Sequence, residues 1–153
     1  MEPQNTTVSY AGFWKRFAAF VTDMFILSIG NFFIGVIFGI PYDVLTGKAE
    51  FAGFAEDYIL SFILSLLLVW IYQAVMESSV KQATLGKMTL GIVVTDLSGN
   101  RISFRKASGR YFGQFLSGFI LGIGFLMIGF TAKKQGLHDM MAGCLVVNKT
   151  HSS

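Results

Sequence analysis

The sequence predicts an all-α polytopic membrane protein. It has two full transmembrane helices, a third apolar helical segment that is glycine-broken or re-entrant, and a small cytoplasmic β-hairpin paired to a C-terminal strand. Three observations carry this reading. Hydrophobic residues make up 53% of the 153 residues and charged residues 14%, against roughly 45–50% and about 25% in a soluble domain. Three apolar stretches, 17–40, 59–76 and 111–131, each approach the ~20 residues a spanning helix requires. Finally, of the 12 Lys and Arg residues, Lys48 alone falls in 41–58, beside Asp43, Glu50, Glu56 and Asp57. By the positive-inside rule that loop is external, while the N-terminus and the basic 77–110 segment are cytoplasmic in the cell's inner (plasma) membrane.

Residues 1–9 are polar and expected to be disordered, 10–149 form the membrane domain, and 150–153 are a tail. Residues 10–16 are amphipathic, with Phe13 and Trp14 suited to the membrane interface. A cleaved signal peptide does not suit residues 15–40, because the apolar run is too long, contains Asp23 and has no small-x-small site after it. Pro41 ends the first span. The second closes with Trp70 and Tyr72, then Gln73 and Glu77. Next, TLGIVVTD (89–96) is rich in β-branched residues, LSGN (97–100) is a turn signal and RISF (101–104) resumes the extended pattern, predicting a hairpin. Ser103 is placed to cap a helix starting near Arg105. The Gly86-Lys87 pair lacks the upstream glycine of a phosphate-binding loop and reads as a turn entering the hairpin.

The third apolar stretch carries a conflict. A single straight crossing would put Lys133, Lys134 and Lys149 outside, against the charge rule. GCLVVNK (143–149) also looks like a partner for TLGIVVTD, and a lone hairpin is marginal in water. Both considerations favour a cytoplasmic tail and a pair of half-helices bent at Leu121-Gly122-Ile123-Gly124. Non-helical backbone at that depth must be buried in protein or beside water.

Asp23 is the strongest functional candidate. It lies within an otherwise uncharged apolar run, and an intramembrane acid is costly wherever it faces lipid. Arg16 precedes it by two turns of one helix face, a depth difference of about 10 Å, so Arg16 can instead meet another acid at the cytoplasmic surface. Asp139, in GLHDMMAG, supplies one if the tail is cytoplasmic. The alternative reading of each is structural: a packing bond for Asp23, a topology anchor for Arg16, a cap or salt bridge for Asp139. Burial disfavours a charged carboxylate and a nearby arginine favours it, and the sequence leaves both open. His138 can titrate near neutral pH, although a lone histidine is usually a surface or hydrogen-bonding residue.

These residues resemble the RDD family of membrane proteins, named for an arginine at the start of the first helix, an aspartate within it and a second aspartate further on. GFWKRFAAFVTD supplies Arg16 and Asp23, and QGLHDMMAGCLVV supplies Asp139. Between them, TLGKMTLGIVVTDLSGNRISFRKASGRYFG is similar to the family's central segment and includes Arg110. The resemblance spans roughly residues 10–148 and departs from many relatives at Cys144, where they carry threonine. It implies a transport-related role, with cation–proton antiport proposed for a member.

The expected function is therefore transport of ions or small solutes, with cation/proton antiport through Asp23 as one form of it. Arg16 and Asp139 shape the cytoplasmic mouth, and Arg110 and His138 are secondary candidates. The alternative is a non-transporting scaffold or accessory subunit. Partners are the lipid bilayer, protons or monovalent cations, and further copies of the chain, since so few helices scarcely enclose a pathway. Three GxxxG spacings, at Gly35, Gly109 and Gly118, hint at close helix packing. No enzyme is expected, because nucleophile–base pairs and cofactor signatures are missing. With two histidines and one cysteine, neither a metal site nor a cofactor is expected. The basic segment is explained by topology and anionic lipid rather than nucleic acid. Cys144 excludes an intrachain disulfide and reads as a small apolar residue.

Overall fold

The computed structural model describes residues 8–38, 51–120 and 122–149. Residues 1–7 of the N-terminus expected to be disordered, Pro41 and most of the expected external loop, and the 150–153 tail lie outside the described residues. Two long helices dominate: α1 (Phe13–Phe38) and α2 (Phe51–Ser78). Their apolar portions, Phe13–Ile37 and Ile59–Ser78, are long enough to cross a bilayer at 25 and 20 residues. Phe25, Phe32, Phe33 and Phe62 are exposed. A row of outward phenylalanines is unfavourable in water but suits acyl chains.

The chain divides into two compact units. One comprises Met24–Tyr72, and the other joins the chain up to Asp23 with everything from Gln73 onward. In the first, the inner portions of α1 and α2 pack at Gly30, where a Cβ would come within 3.3 Å of Leu68 Cδ2.

The second unit holds the buried charges. After α2, Thr84 caps the short helix α3 (Leu85–Thr89), its hydroxyl accepting from the Lys87 amide. The Gly86-Lys87 pair thus opens a helix rather than a turn, because Thr84 supplies an N-cap whose signal in the sequence is weak. Strand β1 (Ile92–Asp96) follows. The expected second arm at 101–104 shrinks to a single bridge, Thr95 to Arg101. Asp96 Oδ1 accepts from the amides of Ser98 and Asn100 and tightens the turn. Ser103 then caps helix α4 (Phe104–Phe119), so the helix begins before a second strand can form.

The tail strand does pair as expected. Strand β2 (Cys144–Asn148) runs antiparallel to β1, with Ile92 opposite Asn148 and Asp96 opposite Cys144. Its other edge is met by the N-terminal residues: Ala11 N donates to Val146 O, Tyr10 bridges to Val147, and Asn148 N donates to Ser9 O. The two ends of the described chain are therefore stitched together.

The third apolar stretch is broken. Helix α4 and helix α5 (Ile123–Phe130) meet at a bend of 102°. Gly122 holds φ +75°, a left-handed conformation that glycine adopts without a Cβ penalty. Beyond the bend, Gly124 sits so close to α4 that a Cβ would lie 2.7 Å from Ser117 Oγ. Helix α6 (Leu137–Ala142) then leads through Gly143, at φ +60°, into β2.

Candidate functional site

Six charged side chains gather in the interior of this second unit among the described residues: two from α1 and one each from α2, α3, α4 and α6. The buried charged side chains among the described residues are Arg16, Asp23, Glu77, Lys87, Arg110 and Asp139, joined by His138. The first turn of α1 brings Arg16, whose Nη1 donates to Asp139 Oδ2 while Nε donates to Ala11 O at 3.0 Å. Its Nη2 donates to Lys134 O, and Lys134 itself sits at φ 48°. Asp139 is fully buried in α6. Its Oδ1 accepts from Arg110 Nε at 2.9 Å, and its Oδ2 also accepts from the Gly136 amide at 3.2 Å.

Arg110 is the centre of the network. It sits on the inner face of α4, and its Nη1 donates to Glu77 Oε1 at 2.8 Å and Oε2 at 2.9 Å. Glu77, near the end of α2, is also paired with Lys87 Nζ. The result is a chain of alternating charges: Lys87, Glu77, Arg110, Asp139, Arg16. Arginine suits the middle of such a chain because its planar fork can serve two carboxylates at once. Breaking a buried ion pair leaves an uncompensated charge, which costs several kcal/mol.

Asp23 lies beside this chain in a different setting. It is 9% exposed. Its Oδ2 accepts from Thr84 Oγ1 at 2.6 Å and its Oδ1 from the Gly86 amide at 2.8 Å. That grip requires glycine at position 86, since a Cβ there would lie 2.1 Å from Ala19 O and 2.9 Å from Asp23 Cγ. Lys87 also lies within electrostatic reach of Asp23.

Burial works against the Asp139 carboxylate, but Arg110 and Arg16 outweigh it and hold its pKa well below the usual carboxylate range. His138 is lowered as well, in its case by burial, to about 4, with Asp139 only partly opposing. It is neutral at pH 7, so its 3.4 Å approach to Asp139 is a polar contact and not an ion pair. Its Nδ1 lies 3.2 Å from Ser117 Oγ. Burial raises the Cys144 thiol to about 11, so it stays protonated. Burial also lowers the Lys87 ammonium, with Glu77 pushing back.

The structure thus brings Arg16, Asp139, Arg110 and His138 together and places Asp23 at the network's edge through α3. Sequence reasoning missed Glu77, Lys87 and Thr84. One signal was available: Glu77 and Lys87 are acid and base just past the end of the apolar stretch 59–76. No group of three His, Cys, Asp or Glu residues suited to a metal occurs among the described residues.

The chain is 37% identical over 152 residues to the uncharacterized protein YxaI of Bacillus subtilis (strain 168), covering 91% of this chain and 97% of that one. It is 28% identical over 156 residues to the uncharacterized membrane protein YteJ of the same organism, covering 97% and 87%. No solved structure matches. The RDD family model matches residues 10–143, which include Arg16, Asp23 and Asp139, and the chain belongs to the RDD family.

Proposed function

We propose that this membrane protein exchanges monovalent cations for protons, with Asp23 as the exchanging carboxylate. The observation that carries this reading is the contrast between its buried acids. Asp139 is clamped by two guanidinium groups and Glu77 by Arg110 and Lys87, whereas Asp23 takes a hydroxyl and a backbone amide. Hydroxyl and amide donors orient the Asp23 carboxylate without cancelling its charge, so it can still attract a monovalent cation. Arg16, Arg110 and Asp139 fix the surrounding field, and His138 supports Asp139. The bonded chain ends favour a tail on the same side as the N-terminus, with two full crossings and a re-entrant α4–α5 pair in the plasma membrane. Copies of the chain complete the pathway, and no enzymatic step is assigned.

The test is flux in proteoliposomes. Addition of Na⁺ or K⁺ should dissipate an imposed pH gradient, and Asp23→Asn should abolish this while the protein still elutes and melts as the parent does. A well-folded parent protein with no cation-dependent flux sinks the proposal.

A second reading has its own support. The five-residue chain from Lys87 to Arg16 is saturated with partners, as a packing device would be, which favours a scaffold or accessory subunit. Under that reading Asp23→Asn lowers the melting temperature or releases a partner, and no flux exists to lose.

A further inference from the structure

Counting buried charge identifies a residue that the arginine–aspartate signature does not include. Arg16, Lys87 and Arg110 bring three positive charges, and Asp23, Glu77 and Asp139 bring three negative ones, all 9% exposed or less. The cluster is formally neutral. A cation that joins Asp23 would leave it with an excess of one positive charge in a poorly solvated place, which is strongly disfavoured. Neutrality returns only if a proton leaves. Guanidinium groups do not release protons in proteins, so Arg16 and Arg110 cannot supply it, and His138 is already neutral. Lysine can, because a buried ammonium loses its proton readily.

We infer that Lys87 is the proton-releasing partner of Asp23, so that one proton leaves its ammonium for each monovalent cation bound. This inference rests on the exchange reading above. The step balances: the cation takes its place on the Asp23 carboxylate, the Lys87 N–H bond breaks, the electron pair stays on nitrogen, and the proton passes to water. Reversal in the other orientation reloads the amine and expels the cation.

The groups facing Lys87 suit that role from every side. Glu77 of α2 holds the ammonium, Asp23 of α1 attracts it, Arg110 of α4 repels it, and His138 of α6 is within electrostatic reach. Glu77 is not stranded when the ammonium discharges, since Arg110 Nη1 still donates to both of its oxygens. Lys87 and Asp23 are also tied mechanically. Thr84 accepts from the Lys87 amide and donates to Asp23, while Gly86 donates to the same carboxylate. Lys87 and Asp23 each retain a small exposed surface, 8% and 9%.

The experiment measures protons released when NaCl or KCl is added to purified protein in weakly buffered detergent, with choline chloride as the control. The parent should release about one proton per bound cation, as linkage requires when a binding group must deprotonate, and release should fade at alkaline pH where the amine is already neutral. Lys87→Arg, which keeps a charge that cannot leave, should release none and weaken cation binding by on the order of tenfold or more. Lys87→Gln should bind the cation with an affinity that no longer varies with pH. A Lys87→Arg protein that melts like the parent and still releases its proton overturns the assignment. So does a Lys87→Gln protein whose affinity keeps the parent's pH dependence, and this second variant decides the matter if the first does not fold. Coupled exchange in the parent that persists in both variants defeats only the role of Lys87. A folded parent that releases no proton and carries no flux defeats the exchange reading and this one together.

Discussion

Asp139 and Asp23 are both acids buried in the same unit, yet their surroundings differ. Asp139 has both oxygens engaged by guanidinium groups and caps its own helix at Gly136. Asp23 accepts from the Thr84 hydroxyl and from the Gly86 amide of a short helix. The difference teaches that an aspartate in an apolar segment is not functional by depth alone. Its neighbours decide whether it is met by guanidinium groups or by hydroxyl and backbone donors.

Three variants or conditions probe that contrast, and the largest effect belongs to the Asp139 side. Arg110→Met removes the one side chain shared by Glu77 and Asp139. Two buried carboxylates then lose a counter-charge, and stability should fall by about 3–5 kcal/mol, read as an early melt in detergent. A melt unchanged from the parent would mean that the network holds nothing together.

Gly86→Ala attacks the Asp23 side through packing. Its Cβ would overlap Ala19 O, at 2.1 Å, and press on Asp23. Backbone must shift, at a cost of about 1–3 kcal/mol, and α3 must lose its grip on the Asp23 carboxylate. Exchange activity should drop with the melt only modestly lowered. Full activity in Gly86→Ala would show that the Asp23 contacts with Thr84 and Gly86 are dispensable.

The smallest effect is one of pH. Burial holds His138 at about 4, below its usual value, so the unfolded chain takes up a proton that the folded chain refuses. Stability from this group is complete above about pH 6.5 and is lost as pH falls toward 4, amounting to about 1 kcal/mol at pH 5.5. Asp139 acts in the same direction lower down, since its depressed pKa makes stability fall once the unfolded carboxyl protonates. Melting temperatures from pH 8 to 5 should therefore decline, and His138→Gln should flatten the decline above pH 5. A parent curve that rises toward acid would contradict the neutral, buried state assigned to His138.

Much of this was legible before any coordinates. The two spans follow from apolar length, and the Ser103 cap from its position before a helical run. The bend at Gly122 follows from a glycine-rich break, and the pairing of 143–149 with 89–96 from β-branched composition. Arg16, Asp23 and Asp139 stand out because charge is scarce. The second hairpin arm at 101–104 was over-read: its composition suits a strand, but a good N-cap at Ser103 recruits Phe104 into the helix first. Lys87 was under-read as part of a turn, because a threonine cap three residues earlier is a weak signal until its second partner, Asp23, is seen.

By itself the chain's chemistry determined what must be buried and what must meet lipid, because apolar length and charge scarcity are properties of composition and order. Which charge faces which was decided only by the tertiary structure. Pairing Arg16 with Asp139, or Glu77 with Lys87 and Arg110, depends on bringing distant segments within about 3 Å of one another. That proximity comes from the bend at Gly122, the close approach at Gly86 and the stitching of Tyr10 and Ala11 to the tail strand. Coulombic preference is non-specific at the level of sequence, and packing selects the partners.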